Sequence, residues 1–126
     1  MRANVRENTQ PEIRLRAALH QRGLRFRKHL SMPVGDVRVK PDIVFTRQRV
    51  AVFVDGCFWH GCLEHGTQPR SNSAYWSAKI AGNQERDRRV TSALEHAGWT
   101  VVRRWEHESV DESVELIVAI LESRVG

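Results

Sequence analysis

Four residues of types that commonly bind zinc lie close together near the middle of the chain. Cys57, Cys62 and His65 fall within nine positions, in a segment that also contains His60. A structural zinc site needs four ligands in a tetrahedron, and mixed sets of cysteine and histidine are common. We expect His107 to supply the fourth ligand, because it follows an apolar run that predicts a strand. A disulfide between the cysteines, or free buried cysteines beside surface histidines, are the alternatives.

A carboxylate is expected to lie beside this segment because of a predicted hairpin. The apolar residues 43–45 and 50–54 predict two short strands, and the polar residues 46–49 between them predict a tight antiparallel turn. Asp42 begins the first strand and Asp55 ends the second. The hairpin would therefore bring Asp42 beside Asp55 and the zinc segment. A cap before a strand is the alternative explanation for Asp42.

The elements around the hairpin are predicted from caps and apolar spacing. Thr9 and Glu12 have the spacing of a capping box, so we expect a helix that ends at Gly23. The capping box would explain Glu12 without any chemistry. The basic side chains of this helix would lie away from the core: Arg14, Arg16 and Arg22.

The rest of the chain predicts a single α/β domain with a mixed sheet and helices on its faces. In order, we expect a strand over 24–30, a turn over 31–38, a long helix to about Ala97, a strand over 99–105 and a helix over 110–121. One face of the long helix should be inward, namely Trp76, Ile80, Asp87, Val90, Leu94 and Ala97, with Lys79, Arg86 and Arg89 outward. Three other histidines are expected to be ordinary surface residues: His20, His29 and His96.

The charge of the chain favours a polyanionic partner. The formal net charge is +5, and residues 1–30 alone carry +6. A concentrated basic segment is typical of nucleic-acid-binding surfaces, although a solvated helix face has the same composition. Nothing marks the protein as secreted, since no signal peptide and no apolar run of membrane-spanning length is found.

Taken together, these motifs resemble the very short patch repair (Vsr) DNA mismatch endonucleases. The Cys57-Phe58-Trp59-His60 core is the most specific part of the resemblance, which extends from about Met1 to Glu106. The other matching segments are residues 9–12, 40–45, 54–56, 79–83, 86–89 and 98–106.

The resemblance implies a restriction-endonuclease-like fold, a structural zinc ion and a magnesium-dependent reaction. Members of the family nick one DNA strand beside a thymine mispaired with guanine, a mismatch that arises when 5-methylcytosine deaminates. By the resemblance, Asp42 binds the metal, and the backbone carbonyl of Val54 is a second metal contact. His60 matches the catalytic histidine, and Glu12 matches an acidic residue near the site. We expect His60 to act as the general base, because histidine titrates near the working pH. A loop histidine that binds no metal, or a substitute zinc ligand, is the alternative for His60.

The resemblance also implies how DNA is read. Phe58 and Trp59 match rings that enter the base stack beside the mismatch, although adjacent aromatic residues can also belong to a core. Lys79 and Asn83 match side chains near the mispaired bases. The segment that begins with Met1 and Arg2 resembles one whose methionine also enters the DNA.

One active-site position departs from the family pattern. Asp55 stands where some members carry a second active-site histidine. An acidic group there could add a catalytic metal ligand or repel the scissile phosphate.

Three functions remain to be distinguished at this point. The expected one is a monomeric enzyme that acts on mismatched double-stranded DNA in the bacterial cytoplasm, without a membrane partner. A nuclease of the same fold that cuts matched DNA is the second. The third is a zinc-stabilised DNA-binding domain without catalysis.

Overall fold

The structure is a computed structural model that describes residues 10–56 and 73–124. Three helices and six strands are found in these ranges. The helices are α1 (Gln10–Gln21), α2 (Ser73–His96) and α3 (Val110–Arg124). The strands are β1 (Arg27–Lys28), β2 (Met32–Val34), β3 (Val37–Val39), β4 (Ile43–Phe45), β5 (Val50–Asp55) and β6 (Thr100–Trp105).

A mixed four-stranded sheet in the order β1-β4-β5-β6 forms the centre of the protein. β4 and β5 make the predicted antiparallel hairpin, with Ile43 opposite Val52. β5 and β6 are parallel, with Asp55 opposite Trp105. A parallel pair needs a long crossover connection, and α2 lies in that connection. The predicted α/β architecture, with a mixed sheet flanked by helices, is confirmed.

Alternate residues of β5 face different helices, as the period of a strand requires. Val50 and Val52 belong to a buried cluster with residues of α1 and α3. Ala51 between them belongs to a second cluster, with Leu94 of α2. Three residues of α3 are buried in the first cluster, namely Val114, Ile117 and Leu121.

Two predictions for the segment before the hairpin were wrong. The turn predicted over 31–38 contains two strands, β2 and β3, which pair around Gly35. Their alternating side chains explain this, because Val34 and Val39 are buried in the cluster of Leu94. The strand predicted over 24–30 is reduced to Arg27–Lys28, since His29 takes a left-handed backbone conformation with a φ of 51°.

The long helix α2 ends within one residue of the predicted position and has largely the predicted faces. Ile80 and Leu94 are buried, and Asp87 and Val90 are half-buried. Ala97 was predicted to face inward, but it follows the last turn of the helix and is exposed. The predicted outward residues are all exposed: Lys79, Arg86 and Arg89. Among the described residues, no helix combines the length and the apolar character that a membrane span requires.

Candidate functional site

Asp42 lies immediately before β4 and is held by the neighbouring strand. Its Oδ2 accepts a hydrogen bond from the backbone N–H of Val54, at 2.7 Å. Val54 is the penultimate residue of β5. The hairpin therefore carries Asp42 to the end of β5, as the sequence predicted. The bond fixes the orientation of the carboxylate relative to the sheet.

Glu12 is the second carboxylate of the site, and its side chain is almost completely buried in the first turn of α1. Only 1% of it is exposed. Its Oε2 makes an ion pair with Arg16 one turn later and lies 2.5 Å from Nε2 of His29. Arg16 was predicted to lie away from the core. This was wrong, since only 12% of its side chain is exposed, because the side chain pairs with the buried Glu12. Arg14 and Arg22 are exposed, as predicted.

His29 is a site residue that the sequence analysis assigned to the surface. That prediction was wrong, since only 11% of the side chain is exposed. The backbone N–H of His29 donates to the carbonyl of Asp42, at 3.2 Å. Lys28 pairs with Ile43 in the sheet, so His29 lies beside Asp42. The only signal that could have found it is this strand pairing, which local sequence does not specify. The other two histidines are exposed, as predicted: His20 and His96.

Glu12, His29 and Asp42 together form a group that could hold a metal ion. One ligand atom from each residue lies within 4.8 Å of the other two. The ligands of a small divalent ion bind at about 2.1 Å, which places neighbouring ligand atoms roughly 3 to 4 Å apart. Two carboxylates and one imidazole are suitable donors for such an ion. The three residues come from α1, the end of β1 and the start of β4, so the fold assembles the group.

The electrostatics of the site favour a bound cation. Burial raises the pKa of Asp42 to about 7, against the lowering effect of the Val54 hydrogen bond. Within this net value, the negative charges of Glu12 and Asp55 also raise the pKa of Asp42, and the charge of Arg103 lowers it. The carboxylates of Asp42, Glu12 and Asp55 therefore repel one another at this site. A divalent ion at this position would compensate the charge that the protein alone leaves on Asp42.

Comparison with known proteins identifies the family to which this arrangement belongs. The sequence model of the family described as DNA mismatch endonuclease Vsr matches residues 1–65. The type II nicking enzyme V.NaeI of Lentzea aerocolonigenes is 53% identical over 122 residues, which cover 96% of this chain and 74% of that relative. The chain belongs to the Vsr family.

Other relatives of the Vsr family agree with this assignment. The type II nicking enzyme V.XorIIP of Xanthomonas oryzae pv. oryzae is 44% identical over 109 residues, covering 83% of this chain and 75% of the relative. The DNA mismatch endonuclease Vsr of Escherichia coli K12 is 38% identical over 108 residues, covering 84% and 66% respectively. The prediction of an enzyme is confirmed, and the protein is a DNA endonuclease.

Asp55, at the end of β5, is paired with an arginine. Its two carboxylate oxygens lie 3.2 and 3.3 Å from Nη1 of Arg103 on β6. The Arg103 guanidinium lies 4.1 Å from the centre of the Phe53 ring and also donates to Thr91 Oγ1 and the Asp87 carbonyl of α2. Arg103 therefore compensates the charge of Asp55 and connects the end of β5 to α2.

Removing this arginine should destabilise the protein. In Arg103→Met, the carboxylate of Asp55, which is 9% exposed, would lose the two contacts with Nη1. Removing one partner of a buried pair is strongly destabilising, and we expect a loss of about 3 kcal/mol in the free energy of unfolding. Urea denaturation measures this loss. The control is Arg103→Met combined with Asp55→Asn, which should recover part of it; an unchanged midpoint in the single variant would contradict the prediction.

Two further predicted DNA contacts lie one helical turn apart on α2. Lys79 is exposed and Asn83 is half-buried. Residues four positions apart on a helix share a face, so both can contact one DNA segment. Their role as DNA contacts stays a prediction.

The remaining predicted site residues do not meet in the described part of the chain. His107 lies in the turn after β6 and is exposed. Its role as a zinc ligand stays a prediction, because the other three predicted ligands lie outside the described residues. The predicted residues outside the described ranges are Met1, Arg2, Cys57, Phe58, Trp59, His60, Cys62 and His65.

Proposed function

We propose that this protein nicks one strand of double-stranded DNA beside a thymine mispaired with guanine, in a magnesium-dependent reaction. The observation that carries the proposal is the group of Glu12, His29 and Asp42, assembled at the end of the central hairpin in a Vsr-family chain. Such mismatches arise by deamination of 5-methylcytosine. One relative is named a DNA mismatch endonuclease and others are named type II nicking enzymes, and both names fit single-strand cleavage.

Asp42 and the backbone carbonyl of Val54 are the residues that would hold magnesium. Magnesium prefers hard oxygen donors, and both of these groups supply one. The Val54 N–H bond to Oδ2 would orient the Asp42 carboxylate for the ion. When bound, the ion would lower the pKa of a coordinated water and neutralise charge on the scissile phosphate. The hydrogen bond from the Val54 N–H holds the Asp42 carboxylate beside this residue.

The protein residues around the ion would manage protons and charge. We assign His60 as the general base that takes a proton from the attacking water. Glu12 would supply a further carboxylate oxygen beside the ion, and its ion pair with Arg16 would hold it in position. Asp55 would act through Arg103, whose charge lowers the pKa of Asp42. In this assignment Asp55 is a positioning residue for the active site.

In a restriction-endonuclease-like fold, a structural zinc site would hold residues 57–65 in place. We assign its ligands as Cys57, Cys62, His65 and His107, which is a suitable tetrahedral donor set. His107 lies just after β6, which is parallel to β5, so the ion would connect the segment after β5 to the end of its neighbour.

Phe58 and Trp59 would test the base stack for a weakened step. Apolar side chains that enter between base pairs cost a few kcal/mol per step, and a mismatched step is easier to open. Lys79 and Asn83 on α2, with Met1 and Arg2, would contact the DNA around the mismatch. As a monomer acting on chromosomal DNA, the enzyme would work in the bacterial cytoplasm.

Replacing Trp59 should reduce discrimination between mismatched and matched DNA. In Trp59→Ala, we expect T:G duplexes to bind on the order of tenfold more weakly, since tenfold corresponds to about 1.4 kcal/mol and stacking of a base on an aromatic ring contributes about 1 to 3 kcal/mol. Matched duplexes should bind almost as before. Fluorescence anisotropy with both duplexes measures the two dissociation constants, and Trp59→Phe is the control that keeps a ring. An equal loss on both duplexes would reject insertion.

A duplex panel tests the proposed function itself. The zinc-loaded protein is incubated with T:G, other mismatched and fully matched duplexes, each labelled separately on the two strands, with magnesium or with excess EDTA. We expect a nick in one strand, on T:G duplexes, with magnesium only. Equal cleavage of matched duplexes would indicate a general nuclease. DNA binding without cleavage of any duplex would indicate a binding domain, and either result would reject the proposal.

A further inference from the structure

We infer that His29 is a direct ligand of the catalytic divalent ion and gives this centre a preference for manganese over magnesium. The inference rests on the proposed function, because it concerns the metal of that same site. It adds a nitrogen donor to the oxygen donors of Asp42 and Glu12. The argument depends on the backbone of His29, the position of its imidazole and the chemistry of the resulting donor set.

The backbone of His29 is held in a conformation that most side chains avoid. Its φ is 51°, in the left-handed region, which costs a residue other than glycine roughly 1 to 2 kcal/mol. Such conformations persist where the surrounding structure determines them, and they concentrate at functional sites. Here β1 ends at Lys28, and the N–H of His29 donates to the carbonyl of Asp42. The same conformation ends the strand and keeps His29 next to Asp42.

The imidazole of His29 lies inside the site. Its side chain is 11% exposed, and Nε2 lies 2.5 Å from Oε2 of Glu12. The ligand atoms of Glu12, His29 and Asp42 lie within 4.8 Å of one another. A metal ion that contacts both carboxylates would therefore lie within reach of this imidazole. Glu12 also pairs with Arg16, so a cationic partner for Glu12 remains when His29 binds the ion.

A nitrogen ligand changes which ions the centre prefers. Magnesium takes oxygen ligands almost exclusively, whereas manganese accepts carboxylates and lies on the first-row series whose affinity for mixed nitrogen and oxygen sites exceeds that of magnesium. A centre of Asp42, Glu12 and the Val54 carbonyl alone would favour manganese less strongly, because it offers oxygen donors only. With His29 included, manganese should bind more tightly than magnesium and should carry a nitrogen signature.

Pulsed electron paramagnetic resonance of bound Mn²⁺ tests this inference. The full-length, zinc-loaded protein is titrated with Mn²⁺, and Mg²⁺ affinity is obtained by competition. We expect ¹⁴N coupling to Mn²⁺ in the unaltered protein. His29→Asn, which accepts a left-handed backbone, should lose this coupling and bind Mn²⁺ at least about tenfold more weakly. Mg²⁺ affinity should fall less than Mn²⁺ affinity.

Controls separate the ligand role from folding and from other histidines. His29→Gln is a second variant that should behave like His29→Asn, and circular dichroism checks that both fold. His96→Gln changes an exposed histidine of α2 and should leave the coupling and both affinities unchanged. Coupling that persists in the His29 variants, or is absent from the unaltered protein, would overturn the inference. Equal losses of Mn²⁺ and Mg²⁺ affinity would also overturn it, because His29 would then only position Glu12.

The two proposals fail in different ways. If Mn²⁺ shows His29-dependent nitrogen coupling but no duplex is nicked, the proposed function is wrong and the ligand assignment stands. If T:G duplexes are nicked but Mn²⁺ shows no such coupling, the ligand assignment is wrong and the proposed function stands.

Discussion

Replacing Asp42 by asparagine should abolish nicking while the protein still folds and binds DNA. Asparagine keeps the shape of the side chain and can still accept the N–H of Val54, but it removes the negative charge that would hold the ion. A metal ion contributes several kcal/mol of charge stabilisation in the transition state, and about 1.4 kcal/mol corresponds to tenfold in rate. We therefore expect the single-turnover nicking rate on a T:G duplex to fall at least roughly 1,000-fold.

The stability of the same variant provides the control for folding. Because burial raises the pKa of Asp42 from 3.8 to about 7, the folded protein binds a proton that the unfolded chain releases between these values. The contribution of Asp42 to stability is thus present at low pH and is lost as the pH rises through 7. Above pH 7 the loss in the free energy of unfolding approaches roughly 4 kcal/mol, at about 1.4 kcal/mol for each pH unit between the two pKa values.

Asp42→Asn removes this loss of stability, because asparagine has no carboxyl group to ionise. In magnesium-free buffer, urea denaturation should show the variant to be more stable than the unaltered protein at pH 8, with the difference disappearing near pH 4. A variant that nicks normally with magnesium would reject Asp42 as the metal ligand. A variant that is less stable at pH 8 would contradict the burial of its charge.

Replacing Glu12 by alanine should cause the largest loss of stability among the site variants. The side chain of Glu12 is 1% exposed, makes an ion pair with Arg16 and lies against the imidazole of His29. Its removal would leave the guanidinium of Arg16 without this partner, at a cost of about 3 to 5 kcal/mol. Glu12→Gln keeps the volume and should lose less. Urea denaturation at pH 7 gives both free energies of unfolding.

An exposed ion pair of the same fold supplies the matched control. Glu115 on α3 pairs with Arg22 at 2.8 Å, but 68% of the Glu115 side chain is exposed. Because exposed ion pairs contribute little, Glu115→Ala should leave the unfolding midpoint almost unchanged. If Glu12→Ala and Glu115→Ala had the same midpoint, the pairing of Glu12 with Arg16 would have no stabilising role.

Local sequence patterns were sufficient to predict the elements that have clear apolar runs, turn residues or helix caps of their own. The apolar run of residues 50–54 and the polar turn before it predicted the β4–β5 hairpin. This hairpin brings the carboxylate of Asp42 beside the backbone N–H of Val54. Caps and apolar spacing predicted α2 and α3. The β2–β3 pair was missed because Pro33 and Gly35 are turn residues, whereas the burial of Val34 and Val39 depends on α2, much later in the chain.

The contacts within the site could not be predicted in the same way. His29 meets Glu12 and Asp42 only because β1 pairs with β4, a pairing that two exposed residues of β1 do not specify. Arg103 looked like one more basic residue in an apolar strand, yet it is 48 positions from Asp55 in sequence. Arg16 was assigned to the surface by its type, and only a buried Glu12 explains its position. Long-range pairing decides each of these cases.

The turn between β4 and β5 has a consequence for how this protein can vary. Residues 46–49 connect Phe45 directly to its partner Val50, so the length of this turn sets the register of the hairpin. Side chains alternate along a strand, and a slip of one position moves every side chain to the opposite face. Substitutions in the turn should therefore be tolerated more readily than insertions or deletions of a single residue. One added residue would turn the carboxylate of Asp42 away from the backbone N–H of Val54 that holds it.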